Sequence, residues 1–484
     1  MILDEILSIL KNKSNNKAYE IGNECYTYGE FYQYVSNIYT FLLRENKEKK
    51  TVVVFGHKEI YMKATFLACS FAGITYVPID INVPKDRIEL ILNQVNPCII
   101  VGDLKSNCKC ISKKEINEIM QKENLQEINT IFMKPDDIYY IIFTSGSTGI
   151  PKGVKISYNN LNSCINWLKE RANINKEVVL NQANFSFDLS VADIYLSLIT
   201  ESNHFIVDSD EMMDYKKVFY FLKKSNASIA VMTPSYADLL LLDKDFNQEL
   251  MPKLKKIIFC GERLKNNTVE KLYNRFEKLE IINCYGPTEC TFAVTSFEVP
   301  RNYKDEIPVG KAKKDVKIYI VDEQHKELDN EQKGEILITG KSVANGYLKN
   351  IENKSFITFK EEKAYLTGDI GYIKDGLLYY IQRKDKQIKY KGYRIELSDI
   401  ENNIQNLSYI EKVVVVAKKN NEGRVINILA FVKTKQDINI IKQDLKRVLP
   451  EYMIPKIRIV EKFPINNNGK CDEKNYWRNT KWKI

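Results

Sequence analysis

Blocks of consecutive apolar residues alternate with blocks of helical periodicity through most of the chain. Residues 51–56 (TVVVFG) read as a buried strand closed by a glycine, and residues 60–71 as an apolar helix. Residues 75–79 and 98–101 are further short strands. Strands separated by helix-length blocks build βαβ units, so residues 1–140 predict a largely parallel sheet with helices on both faces. The charged stretch 113–122 reads as a solvated helix or loop. Residues 139–143 (YYIIF) form another buried strand, followed by a helix over 160–172.

The rhythm then repeats. A helical apolar stretch runs to Ile199, with strands over 204–207, 227–232, 256–262 and 280–284 and helices over 215–224, 235–242 and 269–276. From about residue 292 the pattern changes to short alternating strands, for example 317–321, 334–338 and 377–381, which predicts a β-rich subdomain over about 292–383. Residues 383–394 (RKDKQIKYKGYR) are strongly basic, and a charge run of this kind is usually a solvated face or linker. Beyond it, helices at 398–407 and 440–449 and strands at 412–416 and 426–432 outline a compact α+β unit.

Composition narrows the class. The chain has 484 residues, more than one core normally holds, so two or more folding units are expected. A 44% hydrophobic and 28% charged content is that of a soluble globular protein. The net charge of +9 arises from 72 basic and 63 acidic residues spread along the chain, too mixed for a nucleic-acid surface. The ten cysteines include no CxxC pair, and Cys108 and Cys110 have no histidine nearby, which disfavours zinc. MILDEILSIL at the start carries acids inside its apolar stretch and reads as an amphipathic helix, not a signal peptide. No run approaches the ~18 apolar residues of a membrane span. A reduced, cytoplasmic setting is expected. The three histidines, His57, His204 and His325, fit neither a metal site nor a catalytic triad, and no GxSxG elbow is present. Chemistry resting on a histidine base is disfavoured.

The candidate chemistry centres on residues 144–154, TSGSTGIPKGV. Gly146, Gly149 and Gly153 permit tight turns, while Ser145, Ser147, Thr148 and Lys152 offer hydroxyls and a cation. Exposed N–H groups, hydroxyls and a fixed positive charge suit a polyphosphate. The common P-loop reads GxxxxGK[ST]; here Pro151 precedes the lysine and no helix-opening Ser or Thr follows. Two other strand ends carry polar or glycine-rich turns, Cys260-Gly261-Glu262 and Tyr285-Gly-Pro-Thr-Glu289. In open α/β sheets ligands sit beyond the carboxyl ends of the strands, so all three could converge on one site. Tyr285 offers a stacking face, Thr288 a hydroxyl and Glu289 a carboxylate suited to Mg²⁺. Asp188, between Phe187 and Leu189, is either a helix N-cap or a pocket carboxylate for a cation. Asp369, after a Thr-Gly turn, is either an ordinary turn residue or a chelator of vicinal ribose hydroxyls.

The ordered set TSGSTGIPKG, FSFDLSV, NCYGPTE, GEILITG, YLTGD, RKDKQIKYKGYRIEL and NNNGK resembles the adenylate-forming (AMP-binding) enzymes, over nearly the whole chain. That superfamily includes acyl-CoA synthetases, luciferases and nonribosomal peptide adenylation domains. Within it, FDLSV, CGE and the stand-alone length are most similar to the ligases that load D-alanine onto a carrier protein.

The resemblance implies an α/β fold. A large N-terminal domain of stacked, mostly parallel sheets with a β-rich subdomain would span residues 1–383, a hinge 384–386, and a small mobile α+β domain 387–484. It implies ATP, Mg²⁺, a small amino acid and the phosphopantetheine thiol of a carrier protein as reactants and partners, with the chain acting as a monomer. Thr144, Ser145, Gly146, Ser147, Thr148, Gly149 and Lys152 would cradle the β- and γ-phosphates. Asn283, Cys284, Tyr285, Gly286, Pro287 and Thr288 would contact adenine and the α-phosphate, with Gly261, Glu262 and Tyr380 also against the nucleotide. Glu289 would hold Mg²⁺, and Asp369 and Arg383 the ribose. Lys470 would bridge the substrate carboxylate and the α-phosphate; it, Thr288 and Glu289 form the implied catalytic set. Asp188 would pair with the substrate ammonium. Asp385 would be the hinge, and the Gly392 loop would serve thiol transfer.

Leu189, Ala192, Val231, Ile258, Cys260, Cys284, Phe292 and Ala293 would line the side-chain pocket. Three positions depart from the expected pattern. Gln382 stands where a glycine precedes Arg383, Ala192 replaces a methionine, and Phe292 a valine. D-alanine is the favoured substrate, with L-alanine, serine or a β-amino acid as alternatives. An acyl-CoA synthetase is disfavoured because Asp188 would oppose an unsubstituted acyl chain. A non-catalytic binding protein is disfavoured by the intact Lys152, Glu289 and Lys470.

Overall fold

The computed structural model describes residues 1–123, 126–146, 149–207, 215–350, 354–385, 387–420 and 425–461. Ser147, Thr148 and Lys470 lie outside them. The chain divides into two compact units, one of Met1–Ile81, Ile91–Phe143 and Lys152–Lys384, the other of Asn82–Leu90, Thr144–Pro151 and Asp385–Ile484.

The first unit is built on two sheets of mostly parallel strands. In the larger, the parallel strands Glu280–Tyr285, Lys256–Phe259, Ile229–Met232, Val178–Asn181, Asn203–Ile206 and Lys17–Ile21 lie side by side in that order. Antiparallel strands complete both edges. The smaller sheet contains Val52–Gly56, Tyr76–Asp80, Ile99–Val101 and Ile138–Thr144 as parallel neighbours. Side chains of a strand alternate between faces, so residues two apart share a side. Val231, Ile258, Cys260, Ile282 and Cys284 accordingly enter one core, with Leu189, Ala192, Phe292 and Ala293. Ala230, Met232, Ile257, Phe259 and Ile281 enter another on the opposite face. All eight expected pocket residues belong to the first core.

The hairpin Lys17–Ile21/Glu24–Thr27 and the helix Tyr28–Glu45 are additions to the expected elements. Thr27 and Glu30 start that helix as a reciprocal capping box. Residues 113–122, read as helix or loop, form the helix Lys113–Met120, started by Ser112 and Glu115 in the same way.

The β-rich part contains a five-stranded sheet. One correction falls here. Residues 365–369 are not a turn; they lie within the long strand Glu362–Lys374. Pairing with Gly334–Gly340 slips between Glu335↔Ile370 and Leu337↔Leu366, and Gly368 takes φ +70°. The Thr-Gly signal marks a β-bulge, which re-aims the following side chain, Asp369.

In the second unit, the basic stretch read as a solvated face or linker forms a hairpin, Gln387–Tyr390 with Tyr393–Glu396, with Lys389 and Lys391 exposed. Lys391 and Gly392 turn it with φ of +53° and +82°, the paired left-handed residues of a type I′ turn. Ile388 and Ile395 anchor it in the core formed by the helices Leu397–Gln405 and Ile438–Val448 and the strands Lys412–Lys419 and Val425–Lys433.

Candidate functional site

In the first unit, the carboxyl ends of adjacent parallel strands deliver the polar residues. The strand Glu280–Tyr285 ends in Tyr285, whose hydroxyl donates to Asp369 Oδ2 at 2.6 Å. Arg383 Nη1 donates to Asp369 Oδ1 at 3.0 Å and to the Thr367 carbonyl at 2.7 Å. Asp369 and Arg383 are cross-strand partners, so sheet register brings the pair together. Burial and the Asp369 carboxylate push the Tyr285 phenol well above its ordinary pKa, so it stays protonated as a donor. Tyr380 lies beside it, with ring centroids 6.4 Å apart. Tyr285, with Tyr380 beside it, thus donates to a carboxylate fixed by a guanidinium.

The next group forms around the 286–293 loop. Asp188 is the first residue of the helix Asp188–Ile199, and Phe187 holds the cap position. The N-cap alternative is therefore overturned. The Asp188 carboxylate accepts from Thr288 Oγ1 at 2.6 Å, across 100 residues of sequence. It also sits in the first turn of that helix, at the positive end of the helix dipole. Cys260 Sγ donates to the Phe292 carbonyl at 3.7 Å. Thr291 and Phe292 both adopt positive φ, +59° and +68°. Non-glycine residues held in that region carry strain of about 1–3 kcal/mol each, and such strain clusters at binding sites.

Gly286 permits this reversal. A Cβ there would meet Ala293 Cα at 2.6 Å and the Phe292 oxygen at 2.9 Å, both backbone. Gly286→Ala is expected to destabilise the chain by about 1–3 kcal/mol through overpacking, read as a lower urea midpoint. An unchanged midpoint would show that the loop has room to yield.

Glu289 is buried, and its Oε1 accepts from the Tyr347 hydroxyl at 2.8 Å. The Tyr365 hydroxyl lies 3.4 Å from that of Tyr347. The Lys152 ammonium lies 5.6 Å from the Tyr347 ring centroid. Tyr347 thus links two expected site residues, and the sequence reading passed over it; an aromatic after Gly346 was its only signal. Among the described residues no group of three or more His, Cys, Asp or Glu gathers as a metal cage. A single buried carboxylate fits Mg²⁺, which is commonly bound by one or two carboxylates together with water and substrate phosphates.

Other expected residues have hydrogen-bond partners of their own. Asn283 donates its amide to the Pro308 carbonyl at 2.9 Å. Gly261 takes φ +95°, and Glu262 Oε2 accepts from the Ser235 backbone N–H at 3.0 Å and from its hydroxyl.

The second unit holds Thr144, Ser145, Gly146, Gly149, Asp385 and Gly392. Ser145 Oγ donates to the Arg394 carbonyl at 3.1 Å and accepts from the Glu396 N–H at 3.2 Å. Gly149 takes φ +85° and donates its N–H to the Gly146 carbonyl at 3.0 Å. Asp385 Oδ1 accepts from the Gln387 N–H at 3.0 Å, a local side-chain turn.

Residues 9–348 match the family described as AMP-binding enzyme. The chain is 38% identical to a protein of Listeria monocytogenes serotype 4b named D-alanine--D-alanyl carrier protein ligase, over 98% of each chain. It is 36% identical to a protein of the same name from Bacillus licheniformis, again over 98% of each. Among solved structures, the Vibrio cholerae adenylation domain AlmE in complex with glycyl-adenosine-5'-phosphate superposes with a TM-score of 0.83 at 22% identity, covering 99% of this chain and 97% of that one. A fused adenylation-PCP di-domain from Klebsiella oxytoca gives 0.82 at 20% identity, covering 95% and 93%. These structural likenesses show the fold. No helix among the described residues is long and apolar enough to cross a membrane. With a family match over most of its length and full-length relatives well above 30% identity, the chain belongs to the AMP-binding enzymes.

Proposed function

We propose that this enzyme activates D-alanine with ATP as D-alanyl-adenylate and transfers the D-alanyl group to the phosphopantetheine thiol of a carrier protein. The observation that carries the reading is the Asp188 carboxylate, anchored by Thr288 at the rim of the core containing Ala192, Cys260, Cys284 and Phe292. A carboxylate beside apolar side chains suits an α-ammonium next to a methyl group. The names of the full-length relatives support the same substrate.

In the first half-reaction a carboxylate oxygen of D-alanine attacks the α-phosphorus of ATP, the bond to the β-phosphate oxygen breaks, and pyrophosphate leaves. Tyr285 and Tyr380 pack the adenine, and Asp369, held by Arg383, accepts the ribose hydroxyls. Asn283 and Cys284 through Thr288, with Gly261 and Glu262, line the nucleotide. Lys152 and residues 144–149 carry the leaving phosphates. Lys470 lies between the substrate carboxylate and the α-phosphate, where negative charge accumulates. Mg²⁺, held by Glu289, supplies further charge neutralisation on the phosphates when bound. In the second half-reaction the thiol sulfur attacks the acyl carbon and AMP leaves with the bonding electron pair. The thiol proton passes to solvent. No histidine base enters, so catalysis rests on positioning and charge stabilisation. Residues 384–386, with Asp385 at their centre, serve as the hinge between domains 1–383 and 387–484, and the Gly392 turn serves the thiol step. The enzyme acts in the cytoplasm as a monomer.

Ala192 and Phe292 favour one second reading, a stand-alone enzyme of a peptide natural-product pathway using another small or β-amino acid. ATP–pyrophosphate exchange over D-alanine, L-alanine, serine and β-alanine separates the two. D-alanine is expected to give the highest kcat/KM. Exchange supported by an L- or β-amino acid but not D-alanine would overturn the D-alanine reading, and exchange with only fatty or aromatic acids would overturn both.

A further inference from the structure

Behind Asp188, on the same helix, lies a buried polar cluster that this reaction scheme leaves unused. Asp193 is fully buried. Asn181, the last residue of its strand, donates its amide to Asp193 Oδ1 at 3.1 Å and Oδ2 at 3.0 Å, and to the Ala183 carbonyl at 3.0 Å. His204 Nε2 lies 3.1 Å from Asp193 Oδ1. Burial, with the Lys63 and Lys58 charges, holds His204 well below its ordinary pKa, so the ring is neutral; burial also raises the Asp193 carboxyl well above its own, and the two groups share one hydrogen bond. Its face stacks on Phe185 at 6.0 Å and 10°. Lys58, fully buried, donates to the Gln182 carbonyl at 2.9 Å and the Val207 carbonyl at 2.8 Å. Lys63 donates to Ser197 Oγ at 3.2 Å, one helical turn beyond Asp193, and burial lowers its pKa to about 7.

These contacts fall on residues 181, 182, 183 and 185 and on helix positions 193 and 197. They grip the connection that delivers Asp188 and the helix that carries it. The cluster is not an optimised core. The Asn181 oxygen and His204 Nδ1 are buried without a partner among the described residues, and buried unpaired groups are destabilising. Well-packed apolar residues would often serve stability as well or better. Polarity kept against that cost fits a role in fixing register.

We propose that Asp193, with Asn181 and His204, is a positioning residue that sets the rotation of the helix Asp188–Ile199, so that Asp188 meets the substrate ammonium and Ala192 its side chain. The inference rests on the reading of Asp188 given under Proposed function. A displacement of about 1 Å near reacting groups can cost on the order of 10²-fold in rate.

The test uses the full chain with Asp193→Asn and, as a second variant, Asn181→Ala. Melting temperature is measured with ATP–pyrophosphate exchange at varied D-alanine and varied ATP. KM for D-alanine is expected to rise at least about tenfold in folded variants, with KM for ATP within about twofold, because only the amino acid half of the site is disturbed. Unchanged KM values, a parallel rise in both, or failure of both variants to fold would overturn the proposal and leave the cluster as core. Asp188→Ala is run alongside. If it raises KM for D-alanine and the other two variants do not, positioning alone fails. If it leaves that KM unchanged, the Asp188 reading fails and the positioning of Asp188 fails with it.

Discussion

Lys470→Ala is expected to slow adenylate formation about 10³-fold while leaving thiol transfer from preformed D-alanyl-adenylate within about threefold of the unaltered rate. Charge accumulates where the amino acid carboxylate joins the α-phosphate, and the proposed mechanism assigns a single ammonium, that of Lys470, to both partners. Removing one aimed donor from such a site costs on the order of 10²–10³-fold, and a full positive charge belongs at the upper end. The loss corresponds to about 4 kcal/mol of transition-state stabilisation. Transfer places its developing charge at the thioester carbon and on departing AMP, and the proposed hinge withdraws Lys470 before that step. Single-turnover pyrophosphate release measures the first half-reaction. Thioester formation on a phosphopantetheinylated carrier, started from synthetic adenylate, measures the second. Equal loss in both would contradict the hinge assignment at 384–386. The expectation comes from the NNNGK sequence, since Lys470 lies outside the described residues.

What was legible in the sequence follows from range. The parallel strands were visible because continuous apolar runs between helices leave few other folds, and their carboxyl ends could be read as ligand-bearing by a general rule. Signals requiring partners far along the chain were misread or missed. The Thr-Gly pair before Asp369 reads as a turn because such a pair usually is one; only the strand Gly334–Gly340 alongside makes it a bulge. The 383–394 stretch reads as a solvated face or linker because its lysines dominate; Lys389 and Lys391 are exposed, and Ile388 and Ile395 carry a core face that the charge run hides. The pairing of Lys17–Ile21 with Asn203–Ile206 joins distant stretches of chain and leaves no local trace. Asp193, Asn181 and His204 come from a helix and two separate strands, so their meeting depends on the finished sheet order. The helix Tyr28–Glu45 is a different case. Its Thr27–Glu30 capping box stood in the sequence and was overlooked.

Asp188→Asn is expected to raise KM for D-alanine about 10²-fold while KM for ATP stays within about twofold. The substitution keeps size and keeps an oxygen able to accept from Thr288 Oγ1, so the 2.6 Å contact has a replacement and the loop need not move. What it removes is charge. Breaking a fully buried ion pair by losing one partner costs about 3–5 kcal/mol. Asp188 is only partly buried, so a smaller loss of about 2–3 kcal/mol is expected, which is roughly a hundredfold in affinity. The same change should alter selectivity in a way that a packing defect does not. D-lactate presents a hydroxyl where D-alanine presents an ammonium, and a carboxylate discriminates strongly between them. Asparagine offers both a donor and an acceptor and discriminates weakly. The ratio of kcat/KM for D-alanine over D-lactate is therefore expected to fall by at least tenfold in Asp188→Asn. If both substrates lose kcat/KM equally, Asp188 acts through the fold of the 286–293 loop and the ammonium is recognised elsewhere. If KM for ATP rises in step with that for D-alanine, the Thr288 contact serves the nucleotide, and the link between Asp188 and the amino acid is lost.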